Sequence, residues 1–313
     1  MADVSVSLEQ QIDRRLLLYG ALVATSGLFG SGAAGAAAGK VKAIASFSIL
    51  GDMLRVVGGE RVDAASLVGP NGDVHVYEPT TVDVRTLAGA AIFVVNGLGL
   101  EGWISRLQTS SGFKGRMVIA TTGITPLQAE HEPGDSRRAA DPHAWQSLAD
   151  GKIYVRNIRD GLIAVDPGSA AAYRASADKF IAEIGTVEQQ VKAAIGMLPA
   201  DRRKVITTHD AFGYFGATYG LQFIAPEGVS TESEASVKDV AGIIRQIKAQ
   251  KIPAVFLENV SDPRLLDQIA KETGARIGGE LYSDALSEPS GPAGTYLDMF
   301  RHNVSTLVAA LAP

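Results

Sequence analysis

Short apolar runs alternate with helix-length segments from Val41 to the end of the chain, and they fall into two blocks of four. The first block contains residues 41–47, 63–68, 92–96 and 117–121, and the second contains residues 204–208, 221–224, 254–258 and 276–281. Apolar runs of this length separated by helices are typical of parallel β-α-β units. The sequence therefore predicts an α/β fold with two lobes, each a mostly parallel four-stranded sheet with flanking helices.

A long helical pattern lies between the two blocks. Its apolar residues recur at steps of three and four, at Ala171, Tyr173, Phe180, Ile184, Val187, Val191 and Ile195. Asp166-Pro167 resembles a helix start and Pro199 a helix end. A helix of roughly thirty residues is about 45 Å long, so we expect one long helix to join the lobes. The predicted domains after residue 38 are 39–165, the linking helix 166–198, and 199–313.

The N-terminal segment has the pattern of an export signal. The pair Arg14-Arg15 precedes an apolar run over residues 16–29, and a tract of small residues ends with three alanines at positions 36–38. This order predicts a signal peptide over residues 1–38, and the paired arginines also resemble a twin-arginine signal. A membrane anchor is the alternative, but only about fourteen residues are strongly apolar where a span needs roughly 20. We expect export to the periplasm.

The composition narrows the chemistry that the chain can perform. There is no cysteine, so we expect no disulfide, thiolate zinc site, cysteine nucleophile or lipid-modified cysteine. The formal net charge is −5 and no block of Lys or Arg stands out, so nucleic acid is not an expected partner. A transition metal would have to be held by histidines and carboxylates.

Four polar residues lie where strands or loops end, the place where ligands bind in open α/β sheets. His75 follows the second predicted strand, His143 lies at the entrance to a helix, His209 follows the fifth strand, and Asp284 follows the last. Three imidazoles and one carboxylate are a complete ligand set for a borderline-soft divalent ion. Spacing alone leaves other interpretations open, since such a histidine is often only a hydrogen-bonded polar residue and Asp284 could cap a turn.

Six motifs, in this order along the chain, resemble the zinc- and manganese-binding solute-binding proteins of metal ABC importers, the ZnuA/TroA-like group (cluster A-I). The motifs are 45–53 (ASFSILGDM), 68–79 (VGPNGDVHVYEP), 94–99 (VVNGLG), 141–145 (DPHAW), 207–215 (TTHDAFGYF) and 281–286 (LYSDAL). The resemblance covers essentially all of residues 41–311. It implies two α/β lobes joined by one long helix with the metal between them, and metal ligands at His75, His143, His209 and Asp284.

The resemblance also implies a function, which is capture of a divalent metal ion and its delivery to the membrane permease of an ABC importer. We expect a monomer that is not an enzyme. Zn²⁺ is the favoured ion and Mn²⁺ the alternative, because many manganese-binding members have Glu where His209 stands. With ordinary histidine pKa values near 6.5, metal affinity is expected to fall below about pH 6.

A surface loop is predicted over residues 126–140. Many zinc-binding members of the group carry a long His-rich acidic loop there, but this chain has only Glu130-His131-Glu132. Accessory capture of zinc by that loop is therefore in doubt, and His131 is not a predicted ligand.

A secreted zinc-dependent hydrolase and a metal-binding adhesin are the alternative functions. A hydrolase keeps an open coordination position for water, which Asp284 fills here, and neither Glu258 nor Asp210 lies in a motif that marks a base. The absence of a predicted lipid anchor argues against an adhesin. Glu258 is expected either to orient a ligand imidazole or only to finish a buried strand, and Asp210 to cap a helix. The aromatic residues expected in the core are Trp145, Phe212 and Tyr214.

Overall fold

A computed structural model describes residues 39–129 and 140–313 of the chain. The predicted signal peptide and the Glu130-His131-Glu132 stretch lie outside the described residues. The strands are β1 (Val41–Phe47), β2 (Val62–Val68), β3 (Ile92–Val95), β4 (Arg116–Ile119), β5 (Lys204–Ile206), β6 (Gln222–Ile224), β7 (Ala254–Glu258) and β8 (Arg276–Leu281). Every strand predicted from the apolar runs is present, with bounds that differ by at most a few residues.

The strands form two four-stranded sheets with the same topology. The strand orders are β2-β1-β3-β4 and β6-β5-β7-β8, and every pair is parallel. The predicted fold class is confirmed. In each sheet the order reverses beside the first strand, and the carboxyl ends of the strands at such a reversal form a crevice suited to a ligand.

Helices cover the faces of both sheets. They are α1 (Ser48–Gly58), α2 (Thr81–Ala88), α3 (Ile104–Ser111) and α4 (Leu148–Val165) in the first lobe, and α6 (Gly213–Tyr219), α7 (Val237–Gln250), α8 (Arg264–Thr273) and α9 (Tyr296–Leu311) in the second. A Ser or Thr accepts a backbone hydrogen bond at the start of α2, α4, α7 and α9. Such caps satisfy N–H groups that a helix leaves unpaired in its first turn.

The long helix α5 (Ala170–Gly196) joins the lobes and packs against α1 and α4 of the first and α6 and α9 of the second. It runs without interruption through Gly185. Asp166 is the N-cap of the 3₁₀ turn that leads into α5, so the α-helix itself begins four residues later than predicted. Asp166 follows the end of α4, and a single 3₁₀ turn, Pro167–Ser169, precedes α5. The division into domains at residues 165 and 198 stays a prediction.

The buried apolar residues form two clusters. The larger one extends through the first lobe, along α5, and into the second lobe as far as α9. The smaller one lies within the second lobe between β5, β7, α7 and α8, and its members include Ile206, Ile243, Ile247 and Leu266. Among the described residues, no helix is both long enough and apolar enough to cross a membrane.

Candidate metal centre

The four predicted ligand residues meet at one buried point between the sheets. Each offers one nitrogen or oxygen atom, and these four atoms lie within 4.8 Å of one another. Asp284 is the centre of the group, because its Oδ2 lies 3.1 Å from Nε2 of His75 and 3.1 Å from Nε2 of His209. The His143 Nε2 lies 3.6 Å from the Asp284 Oδ1.

Each sheet supplies two of the four. His75 lies in the loop after β2, and His143 lies just before the 3₁₀ turn that leads into α4. His209 follows β5 and Asp284 follows β8. All except His75 are 0% exposed, and His75 is 5% exposed, so water has little access to the centre.

Asp141 holds His143 at two atoms. Its Oδ1 accepts a hydrogen bond from the His143 backbone N–H at 2.9 Å and lies 2.8 Å from the ring Nδ1. An Asp that binds the N–H two residues ahead forms an Asx turn. Since Nδ1 faces a carboxylate, the ring is fixed with Nε2 directed at Asp284, as in the carboxylate–histidine pairs that support metal ions.

Glu258 gives His209 the equivalent support from a neighbouring strand. Its Oε1 accepts hydrogen bonds from the backbone N–H groups of Thr208 and His209, at 2.7 and 2.9 Å. Its Oε2 lies 2.7 Å from the His209 Nδ1, a close ionic contact in which the atoms are not aligned for a linear hydrogen bond. Glu258 therefore both finishes a buried strand and orients a ring, the two roles between which the sequence left a choice.

His75 is held mainly through its backbone. Asp73 Oδ1 accepts from the His75 N–H at 2.8 Å, in a second Asx turn with the Asp-x-His spacing of the first. The indole N–H of Trp103 donates to the Val74 carbonyl at 2.9 Å, which fixes the loop from the side of the first lobe.

Asp284 is fixed by the segment that carries His143. The backbone carbonyl of Ser283 accepts hydrogen bonds from the Trp145 indole N–H at 2.9 Å and from the Gln146 side-chain amide at 2.7 Å. Both donors are fully buried. The ligand that comes from β8 is thus tied directly to the turn that presents a ligand from the other lobe.

His143, His209 and Asp284 strongly perturb one another's protonation. Burial alone would raise the pKa of Asp284, but the neighbouring His209 and His143 hold its pKa well below the usual value. Burial opposes the protonation of His143, yet the Asp284 charge and the Asp141 hydrogen bond raise its pKa to about 9. Glu258 and Asp284 likewise overcome burial and raise the pKa of His209 well above its usual value. These two imidazoles are therefore cations at neutral pH, and an ion that binds at their Nε2 atoms must displace protons.

The donor set fits a divalent transition metal ion. The His143 Nε2 and the Asp284 Oδ1 are both buried and have no hydrogen-bond partner within the described parts of the chain. Buried polar atoms are rarely left unpaired, and an ion coordinated by both would satisfy them. Three imidazole nitrogens and one carboxylate are a set suited to zinc, and the carboxylates of Asp141 and Glu258 add negative charge around them.

The remaining residues singled out in the sequence lie elsewhere. His302 is on α9, where its Nε2 lies 3.0 Å from the Glu280 carbonyl oxygen, and His131 is outside the described residues. Asp210 lies two residues before Phe212, the N-cap of α6, and the expectation that it caps a helix stays a prediction. The aromatic residues expected in the core are indeed buried, at Trp145, Phe212 and Tyr214.

Two supporting carboxylates, Asp73 and Asp141, were not predicted to have roles. Both precede a candidate ligand by two residues. That repeated Asp-x-His spacing is a local signal for Asx turns. It is visible in the amino-acid sequence alone, so it could have identified both residues.

A family profile and several relatives match this chain. The profile described as "Zinc-uptake complex component A periplasmic" matches residues 44–310. The manganese-binding lipoprotein MntA of Halalkalibacterium halodurans is 32% identical over 272 residues, which cover 87% of this chain and 89% of that protein. The zinc-binding protein TroA of Treponema pallidum is 31% identical over 311 residues, which cover 97% of this chain and 99% of that protein.

Solved structures of similar proteins have the same fold. The periplasmic zinc-binding protein TroA from Treponema pallidum superposes with a TM-score of 0.82 at 29% identity, covering 88% of this chain and 100% of that one. A manganese-bound periplasmic metal-binding protein from Candidatus Liberibacter asiaticus superposes with a TM-score of 0.78 at 30% identity, covering 87% and 100%.

Proposed function

This chain belongs to the family of the periplasmic zinc-uptake complex component A, and from that premise we propose how it handles its metal. The protein captures a divalent transition metal ion and delivers it to the membrane permease of an ABC importer. The observation that carries this function is the cluster of His75, His143, His209 and Asp284, with all four ligand atoms within 4.8 Å of one another. These four side chains are the ligands of the ion.

The arrangement favours retention of an ion over catalysis on one. A catalytic zinc site has three protein ligands and an open position for water, whereas here the Asp284 carboxylate supplies the fourth ligand. The family consists of metal-binding transport proteins, and the burial of the centre leaves little room for a second reactant. The protein therefore acts as a carrier whose cargo is the ion itself.

Zinc is the ion that this donor set favours. The relatives named above bind manganese or zinc, so family membership does not decide between them. Manganese prefers more oxygen ligands than one carboxylate supplies, and it lies at the weak end of the Irving–Williams order. Three nitrogens and one oxygen match tetrahedral zinc, and manganese would need Asp284 to bind through both oxygens.

The protein works outside the cytoplasm. The relatives include a periplasmic zinc-binding protein and metal-binding lipoproteins, and the signal pattern over residues 1–38 supports export to the periplasm. It works there as a monomer, because the site is complete within one chain and needs no residue from a second copy.

Replacing the ligands one at a time tests the site. An alanine at His75, His143, His209 or Asp284 is expected to weaken zinc binding by more than about tenfold, as measured by competition with a chelator of known affinity. His302→Ala is the matched control and should bind zinc like the wild type, because His302 contacts the Glu280 carbonyl and is not one of the four clustered residues. Wild-type affinity in His143→Ala would contradict the assignment.

Competition between the two ions tests the choice of metal. Zinc is expected to bind more tightly than manganese by several powers of ten at neutral pH, in a titration where both ions are buffered. Displacement of zinc by manganese at comparable free concentrations would contradict the preference but leave the ligand assignment standing.

A further inference from the structure

One candidate ligand, His75, is held differently from the other two histidines. The rings of His143 and His209 each have a carboxylate oxygen within 2.8 Å of Nδ1. In the part of the chain that the structure describes, the only carboxylate within ion-pair distance of the His75 ring is Asp284, at Nε2. The position of His75 therefore depends on its backbone, and the backbone depends on Asp73.

The Asp73 carboxylate connects His75 to the second lobe. Its Oδ1 accepts from the His75 N–H, while its Oδ2 accepts a 2.6 Å hydrogen bond from the Thr231 hydroxyl. Thr231 is 158 residues further along the chain, between β6 and α7. One carboxylate thus bridges a candidate ligand from the first lobe and a loop of the second.

Among the described residues, the same first-lobe loop also meets the second lobe through the His75 ring itself and through Asn71. The Asn71 N–H donates to the Leu286 carbonyl at 2.9 Å, and the Asn259 amide donates to the Asn71 side-chain oxygen at 3.1 Å. Those contacts lie four residues before His75, and they do not involve its N–H. The Thr231–Asp73 hydrogen bond is therefore the contact between lobes that acts on the group holding His75.

We propose that the Thr231–Asp73 hydrogen bond is a positioning contact that sets how long the bound metal is retained, an inference that rests on the proposed function. With the hydroxyl in place, both carboxylate oxygens are engaged and the Asx turn keeps the His75 ring facing Asp284. Without it, the carboxylate is free to rotate and the His75 ring loses its fixed position. His143 and His209 keep their own carboxylates, so His75 is the ligand that leaves first.

The location of Thr231 makes this contact accessible to a partner. Thr231 is partly buried, but the residues that follow it, 232–234 and 236–239, are exposed. A protein that binds this surface and displaces the loop would break the hydrogen bond without reaching the buried centre.

The test compares Thr231→Val, which keeps the shape and removes the hydroxyl, with Thr231→Ser, which keeps the hydroxyl. Zinc release is followed by stopped-flow mixing with excess chelator. Thr231→Val is expected to release zinc about tenfold faster, as suits the loss of a hydrogen bond to a charged group, with an unchanged association rate. Thr231→Ser should restore slow release. The control is Thr109→Val, since the Thr109 hydroxyl donates only to the Ser105 carbonyl of its own helix.

Two results would overturn the inference. One is wild-type release from Thr231→Val, and the other is equally fast release from Thr231→Ser. Asp73→Asn supplies an independent check, because the double variant Asp73→Asn/Thr231→Val should release zinc no faster than Asp73→Asn alone if both residues act through one contact. If the double variant instead released zinc faster by the product of the two single effects, Thr231 would act by another route. If His75→Ala leaves zinc affinity unchanged, the ligand assignment fails. If His75→Ala weakens zinc affinity but Thr231→Val releases zinc at the wild-type rate, only this positioning role is refuted.

Discussion

The two lobes present their candidate ligands by different means. In the first lobe, an aspartate two residues before each histidine accepts a hydrogen bond from the backbone N–H of that histidine. In the second lobe, the acceptor for His209 is Glu258, which lies 49 residues further along the chain on the adjacent strand β7. The backbone acceptor in the first lobe therefore lies within three consecutive residues of its histidine, although Thr231 of the other lobe also contacts Asp73, whereas the acceptor in the second depends on the register of the sheet.

The supporting carboxylates also differ in how they use their oxygens. One oxygen of Asp141 serves both the backbone N–H and the ring Nδ1 of His143. Glu258 divides these tasks, because Oε1 accepts from the backbone and Oε2 faces the ring of His209. The same chemical substitution should therefore have unequal effects in the two lobes.

The largest expected effect is that of pH, to which both lobes contribute. The pKa of His143 is raised to about 9 and that of His209 well above its usual value. Each must lose a proton to bind an ion, so zinc affinity should fall by up to about a hundredfold per pH unit below about pH 9. Competition with a chelator between pH 6 and 9 measures this. This expected pH dependence differs from the one based on the sequence, in which metal affinity falls only below about pH 6.

The stability of the metal-free protein should move in the opposite direction. A histidine whose pKa is raised on folding stabilises the native state fully below its unfolded pKa, near 6.5. For His143 that contribution is lost as the pH rises through about 9. Thermal unfolding in the presence of chelator should show the loss.

Release of only one proton on zinc binding at pH 7, in place of about two, would mean that one lobe presents a neutral histidine.

The next largest effect is expected for Glu258→Gln. Its amide oxygen can still accept from the backbone of Thr208 and His209, so the local fold is kept, although the metal-free protein loses the stabilisation that the Glu258 charge gives to protonated His209. Its NH₂ group would then face Nδ1 and, being only a donor, would favour the tautomer with the proton on Nε2. That proton occupies the ligand position, so zinc affinity should fall by about a hundredfold. Isothermal titration measures it, and an unchanged affinity would show that the ring does not depend on Glu258.

The smallest effect is expected for Asp141→Asn, the matched change in the first lobe. The retained oxygen can accept from both the backbone and the ring of His143, as one carboxylate oxygen already does. Zinc affinity should fall by less than about tenfold, under the same conditions as for Glu258→Gln. Equal losses of zinc affinity in Asp141→Asn and Glu258→Gln would show that the two lobes do not differ in how they support their histidines.

The sequence predicted the features that repeat along the chain and missed those that depend on contact between distant segments. Apolar periodicity identified all eight strands and the long helix, because burial imposes the pattern directly. It did not place the start of that helix, since the 3₁₀ turn at Pro167–Ser169 resembles a first helical turn in sequence. The motifs identified the four candidate ligand residues, but nothing local pairs Thr231 with Asp73. Such a pairing depends on how two sheets and their loops are arranged in space.

The double hydrogen bond to the Ser283 carbonyl has a thermodynamic consequence. Because the donors, Trp145 and Gln146, lie two and three residues after His143, the geometry between His143 and Asp284 is established when the chain folds. The conformational entropy of these two candidate ligands is therefore lost when the protein folds, and it is not lost again when the metal binds. Loading an ion should consequently cost little conformational entropy at His143 and Asp284.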